Sequence, residues 1–158
     1  MINSRAVYIV MAVISVLLGG CSATPQASLQ EDALAKQFDS TPGAAVVYLY
    51  RADYPSNVGF PALWLDNRLI GELTPASYFR VSVRPGKNLL TAYAGDNGRL
   101  EFETRSGEVY FVAITSHGDG SSSYSAFRSV TPEVGRAQIQ KCCALLETWK
   151  PGQTRMPL

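Results

Sequence analysis

From Ala44 onward, apolar and polar positions alternate with period two, and turn residues interrupt the pattern every few positions. Ala44 to Arg51 (AAVVYLYR) is β-branched and aromatic and predicts a strand. Phe60 to Leu65 predicts a second, entered after a bend at Pro61, and Arg68 to Leu73 a third. Tyr78 to Val83 alternates cleanly, with Phe79, Val81 and Val83 on one face and Arg80 and Ser82 on the other. After the turn signal Pro85-Gly86, Lys87 to Tyr93 predicts a fifth strand. Asn97-Gly98 is a strong hairpin signal ahead of a sixth strand over Leu100 to Glu103. Glu108 to Ile114 is almost wholly apolar and reads as the most buried strand. Tyr124 to Val130 is the eighth. Thr131-Pro132-Glu133 then offers a favoured N-cap, a proline at the first helical position and an acidic first turn, which predicts a helix to about Leu146. The sum is an all-β class: an antiparallel β-sandwich of about seven or eight strands with a short C-terminal helix, over residues 44–147, with a loose tail over 148–158. No helical crossovers separate the strands, which argues against a parallel sheet.

Within this pattern, LDNRLIGEL (Leu65 to Leu73) gathers Asp66, Arg68 and Glu72 into nine positions. Asp66-Asn67 reads as a two-residue turn, because both residues tolerate turn geometry. Strict alternation then puts Leu69, Gly71 and Leu73 on one face and Arg68, Ile70 and Glu72 on the other. On that second face Arg68 and Glu72 are expected to form an exposed ion pair rather than a catalytic cluster.

Upstream of the strands the chain changes character twice. Residues 1–20 open with one positive charge, Arg5, continue through the uncharged apolar run AVYIVMAVISVLL and close on small residues. This is the layout of a secretory signal, and the apolar run falls short of the roughly 20 residues that span a bilayer as a helix. Residues 22–43 are rich in Ser, Thr, Pro, Gln, Asp and Ala and read as a flexible tether, with a short helical turn expected over Leu29 to Phe38. At the junction stands Leu18-Gly19-Gly20-Cys21, which resembles the lipobox of bacterial lipoproteins. The resemblance implies cleavage between Gly20 and Cys21, diacylglycerol on the Cys21 sulfur and acylation of the new amine. Several acyl chains hold a protein stably, since each buried methylene contributes roughly 0.8 kcal/mol. The residue after the cysteine is Ser22 rather than Asp, which by enteric-type sorting implies the outer membrane over inner-membrane retention.

Composition narrows the function classes. Of 14 Lys and Arg, loss of Arg5 leaves 13, against 13 Asp and Glu, so the mature chain has no net formal charge. With no basic run, nucleic-acid binding and attraction to anionic lipid are unsupported. Apart from Cys21, the cysteines are Cys142 and Cys143, adjacent in sequence and exported to an oxidising compartment. They can close a vicinal disulfide, pair with another chain or pack as small apolar residues. No metal site is expected: His117 is the only histidine and no CxxC spacing exists.

Several motifs recruit attention without meeting a catalytic pattern. His117 and Asp119 lie in SHGDGSSS, but the GxSxG elbow is not met, because Tyr124 stands where the second glycine is needed after Ser122. Gly86-Lys87 lacks the upstream glycine of a phosphate loop, where Val81 stands, and the following Ser or Thr, where Asn88 stands. Glu101 and Glu103 alternate with Leu100 and Phe102 as on a solvated strand face. Tyrosines are numerous and, with Trp64 and Trp149, are expected mainly in the core, an exposed subset being able to stack on sugars or a partner.

The segments VVYLYR, LDNRLIGEL, SYFRVSVRPGKNLLTAY, GEVYFVAI and PEVGRAQI resemble the DUF2846 group of bacterial lipoproteins, over about Ala44 to Ile139. The central part also resembles the PEGA-type surface module, with Asn67 where glycine is common and Asn88 where a histidine often closes the Pro-Gly turn. These resemblances imply an all-β envelope domain and bring no catalytic residues. The expected protein is therefore a lipid-anchored, periplasm-facing envelope lipoprotein at the outer membrane. It is non-catalytic, without a cofactor or metal, and structural or protein-binding, with the membrane reached through Cys21, an envelope protein as the kind of partner expected, and no nucleic acid. The second reading is a glycan- or peptide-binding module using exposed aromatics, and the third a hydrolase.

Overall fold

The computed structural model describes residues 24–53, 59–93, 98–118 and 124–150. The signal segment, Gly20 and Cys21, the tail from residue 151, and Asp96, Asn97 and Asp119 lie outside them. The described elements are α1 (Leu29–Ala35), β1 (Ala45–Arg51), β2 (Ala62–Leu65), β3 (Arg68–Glu72), β4 (Ser77–Val83), β5 (Gly86–Tyr93), β6 (Arg99–Thr104), β7 (Val109–His117), β8 (Tyr124–Val130), α2 (Pro132–Cys142) and β9 (Ala144–Leu145).

Two sheets face each other, one in the order β8-β7-β1-β4-β9 and the other β3-β2-β5-β6. The class is an all-β sandwich, as the alternation predicts, with nine strands. One sheet is mixed: β1 pairs parallel with β7 and β4 parallel with β9. A parallel pair needs a long connection rather than a hairpin. Here β2 to β6, that is β4 together with the whole second sheet, make the one between β1 and β7, so no crossover helix announces it in the sequence.

The core between the sheets is built from inward positions such as Val47, Leu49, Leu63, Leu65, Phe79, Leu90, Val112 and Ile114. A second apolar layer covers the outer face of the five-stranded sheet: Val46, Tyr48, Tyr50, Tyr78 and Phe111 pack against Ala35 at the end of α1, Phe38 just after it, and Ile139 on α2. The most buried strand is consequently β1, buried at all seven positions, and not β7, whose ends and outward positions are partly exposed. β1 lies centrally in its sheet, between β7 and β4, with an apolar layer on each face. A strand buried on both faces loses its alternation, which is why VVYLY reads as a continuous run.

Close backbone approach sets the helix layer. Gly135 on α2 rests on the Phe111 ring, where an added Cβ would overlap ring atoms. Phe38, at φ 58°, reverses the chain after α1 and carries its ring to Tyr48 and Phe111, at centroid distances of 5.2 and 5.7 Å.

Two expectations are corrected. Residues 24–43 are not a tether. Thr24 is buried and its Oγ1 accepts from the Glu72 amide (3.1 Å). Gln26 bridges to Leu146, and Ala27 N–H donates to the Leu145 carbonyl. Helix α1 begins with a complete capping box: Ser28 Oγ accepts from Glu31 N–H, and Glu31 Oε2 accepts from Ser28 N–H. Likewise α2 stops at Cys142, four residues short of expectation. Cys143 is extended, and Ala144 and Leu146 donate to the carbonyls of Ala76 and Tyr78, forming β9 on the open edge of β4. Pairing with that edge outweighs helix continuation. The segment onward to Lys150 is also held, with Glu147 N–H on the Pro25 carbonyl and Trp149 N–H on the Ile70 carbonyl.

Candidate functional site

Asp66 and Asn67 adopt φ of 52° and 60°, the paired positive values of a tight hairpin turn. Asp66 also fixes the turn to the neighbouring strand: its N–H donates to the Leu89 carbonyl (2.9 Å) and its Oδ1 accepts from the Leu89 N–H (2.8 Å). The face assignment beyond the turn differs from strict alternation. The β2–β3 register shifts between Leu63 and Trp64, which pair with Gly71 and Leu69, so Ile70 is the extra residue of a bulge. Ile70 is thereby buried with Leu73 in the inter-sheet core. Among the described residues the ion pairs are Lys36–Asp32, Arg51–Asp53 and Arg99–Glu101; Arg68 and Glu72 do not form one.

Among the described residues, the side chains of catalytic type that the sequence motifs supply stay apart; Asp119 and residues 121–123 lie outside them. His117, the last residue of β7, is exposed and stacks on Tyr124 at 5.1 Å, with Thr115 Oγ1 3.1 Å from Nε2. Its neighbour Ser116 is buried, on the other face of the strand, so the two cannot share a proton. Glu101 and Glu103 are exposed on one face of β6, and an Arg99 hydrogen bond holds the Glu101 carboxyl below its ordinary range. No group of three or more His, Cys, Asp or Glu among the described residues is placed to hold a metal ion. The Cys142 and Cys143 sulfurs lie at bonding distance, as a vicinal disulfide. Cys143 Sγ also rests 3.7 Å from the Arg51 carbonyl, a packing contact, since a disulfide sulfur has no proton to donate.

The structure brings together two polar centres that the sequence reading passes over. Arg51 ends β1 and is fully buried. Its Nε donates to Asp53 Oδ1 (2.8 Å) and Nη1 to the Gly59 carbonyl (3.4 Å), while Nη2 has no hydrogen-bond partner among the described residues. Asp32 on α1 joins three elements. Its Oδ1 accepts from the Tyr78 hydroxyl (2.9 Å) and the Leu145 N–H (2.8 Å), and its Oδ2 from Lys36 Nζ (2.8 Å). Partial burial pushes the Asp32 carboxyl upward, but the bonds from Lys36, Tyr78 and Leu145 outweigh it and hold the group below its ordinary value. Burial, reinforced by Asp32, pushes the Tyr78 hydroxyl well above the tyrosine range. Asp32 falls inside the supposed tether, and the signal that exposes it is the Ser28-Leu29-Gln30-Glu31 capping box directly before it.

The open surfaces among the described residues include a groove and a cleft with charged linings. A groove of about 490 Å³ runs between α1 and residues 145–150, lined by Glu31, Leu34, Arg80, Glu147 and Lys150 among others. At the β2–β3 turn, a cleft of about 640 Å³ is lined by Arg68, Arg84 and Lys87 beside Asp66 and Asn88. The exposed aromatics do not converge: Phe60 precedes β2, Trp64 sits on the outer face of β2, and Tyr124 starts β8 on the other sheet. No helix among the described residues is long and apolar enough to cross a membrane.

No family model matches the chain, and no solved structure matches it. A protein of Haemophilus influenzae described as uncharacterized is similar, at 31% identity over 101 residues. The match covers 63% of this chain and 60% of the relative, so it spans less than two thirds of that protein's length.

Proposed function

We propose that the protein is an outer-membrane lipoprotein facing the periplasm, anchored by diacylglycerol on Cys21, and that its β-sandwich is a non-catalytic structural or protein-interaction module. The observation that carries the reading is Leu18-Gly19-Gly20-Cys21 closing a charged and then apolar N-terminal segment. The resemblance to DUF2846 lipoproteins supports it. So does the separation of His117 from Ser116 and the outward, Arg99-paired setting of Glu101, which keep these residues from acting together. The placement of Phe60, Trp64 and Tyr124 on separate elements gives the glycan- or peptide-binding alternative no aromatic platform among the described residues.

Fractionation of a Gram-negative host expressing the full chain tests the anchor. The parent protein is expected in the membrane fraction and Cys21→Ser in the soluble fraction; tight membrane retention of Cys21→Ser contradicts lipid anchoring.

A further inference from the structure

We infer that the seam where the chain termini meet the edge of β3 is the surface that lies against the bilayer, with Trp149 at the interface. The inference rests on lipid attachment at Cys21 and adds to it an orientation and a contact surface.

Geometry leaves little freedom. Thr24 is buried and bonded to Glu72 on β3. Only Ser22 and Ala23 separate it from Cys21, and three residue steps span at most about 11 Å. A lipid embedded at Cys21 thus brings the bilayer surface to within about that distance of the β3 edge. Trp149 is docked on the same edge, its N–H on the Ile70 carbonyl at 2.7 Å. Ile70 and Glu72 are two residues apart, about 7 Å along a strand. Between these points residues 25–27 run against 145–147, through the Pro25–Glu147, Gln26–Leu146 and Ala27–Leu145 contacts. The short link keeps this seam, of all the faces of the domain, next to the membrane.

The side chains on this face suit that position. Trp149 is partly exposed and is followed by exposed Lys150, a pairing of amphipathic ring and cation that favours the headgroup level. Helix α1 follows directly and presents Leu29, 89% exposed, and Leu34, 57% exposed. Two of the six large apolar side chains exposed among the described residues therefore lie on this short helix. The opposite side, where β6 approaches β8, is left to face the periplasm and any protein partner.

Tryptophan quenching tests the orientation, because the chain has only Trp64 and Trp149. Both are partly exposed, so replacement by Phe leaves the core intact. Lipidated Trp64→Phe and Trp149→Phe proteins are reconstituted into phosphatidylcholine vesicles containing a brominated analogue. The expected result is several-fold stronger quenching of Trp149 than of Trp64, with Trp149 emission shifted to the blue. Equal or weaker quenching of Trp149 in protein that floats with the vesicles overturns the orientation while leaving the anchor intact. Protein that does not float overturns the anchor, and this inference with it.

Discussion

Arg51 and Asp32 are single side chains on which much of the packing depends. The Arg51 guanidinium is enclosed, and Asp53 is its one carboxylate partner among the described residues. Removing one member of such a pair leaves a buried charge uncompensated, at about 3–5 kcal/mol. Asp53 is itself 32% exposed, so Asp53→Ala is expected to lose stability at the lower end of that range, measured by urea unfolding. Asp32→Ala strands the Leu145 N–H and the Tyr78 hydroxyl and is expected to cost about 2–3 kcal/mol. The same carboxyl gives a pH dependence. Its folded value is depressed, so it stabilises the fold above the unfolded value of about 3.9 and ceases to as pH falls through the folded value. The parent protein is expected to lose more stability below about pH 4 than Asp32→Asn does; equal losses would remove Asp32 from the account. Gly135→Ala drives a methyl into the Phe111 ring and is expected to cost about 1–3 kcal/mol by overpacking. Legibility in the sequence is uneven at this scale. Asp66-Asn67 could be read because turn chemistry is local. The burial of Ile70 could not, because a bulge is set by pairing with β2, which leaves no mark in the spacing of LDNRLIGEL.

Elements with their own hydrophobic period and bounding turns, from β1 to β8, could be read along the chain nearly to their ends. The missed ones depend on partners far off in sequence. β9 is two residues long and exists because β4 offers an open edge. Segment 24–38 is polar in composition, yet Ala35 and Phe38 close the apolar layer over Tyr48, Tyr78 and Phe111. Few apolar residues suffice when a preformed face awaits them. Deleting residues 24–38 while keeping the remainder is therefore expected to lower the melting temperature by many degrees and to induce binding of an apolar dye. An unchanged melting temperature would restore the tether reading. The smaller change Ser28→Ala removes half the capping box and is expected to cost about 1 kcal/mol.

The whole molecule is an all-β sandwich whose N-terminal strap and C-terminal segment share one seam, three residues after the cysteine that resembles a lipidation site. With 13 charges of each sign after loss of Arg5, the proposed membrane attachment would rest on acyl chains rather than on surface charge. Washing membranes with 1 M salt, where the screening length is about 3 Å, is expected to leave the protein in place. The proposed location rests on a linear motif, Leu18-Gly19-Gly20-Cys21, and so can be argued from the sequence. The proposed orientation cannot, because it rests on where Thr24 and Trp149 meet β3. The most direct measurement is the intact mass of the N-terminal peptide from protein extracted out of membranes. A mature chain beginning at Cys21 and carrying diacylglycerol with an acylated amine is expected; a mature chain beginning elsewhere, or an unmodified Cys21, would contradict lipid anchoring.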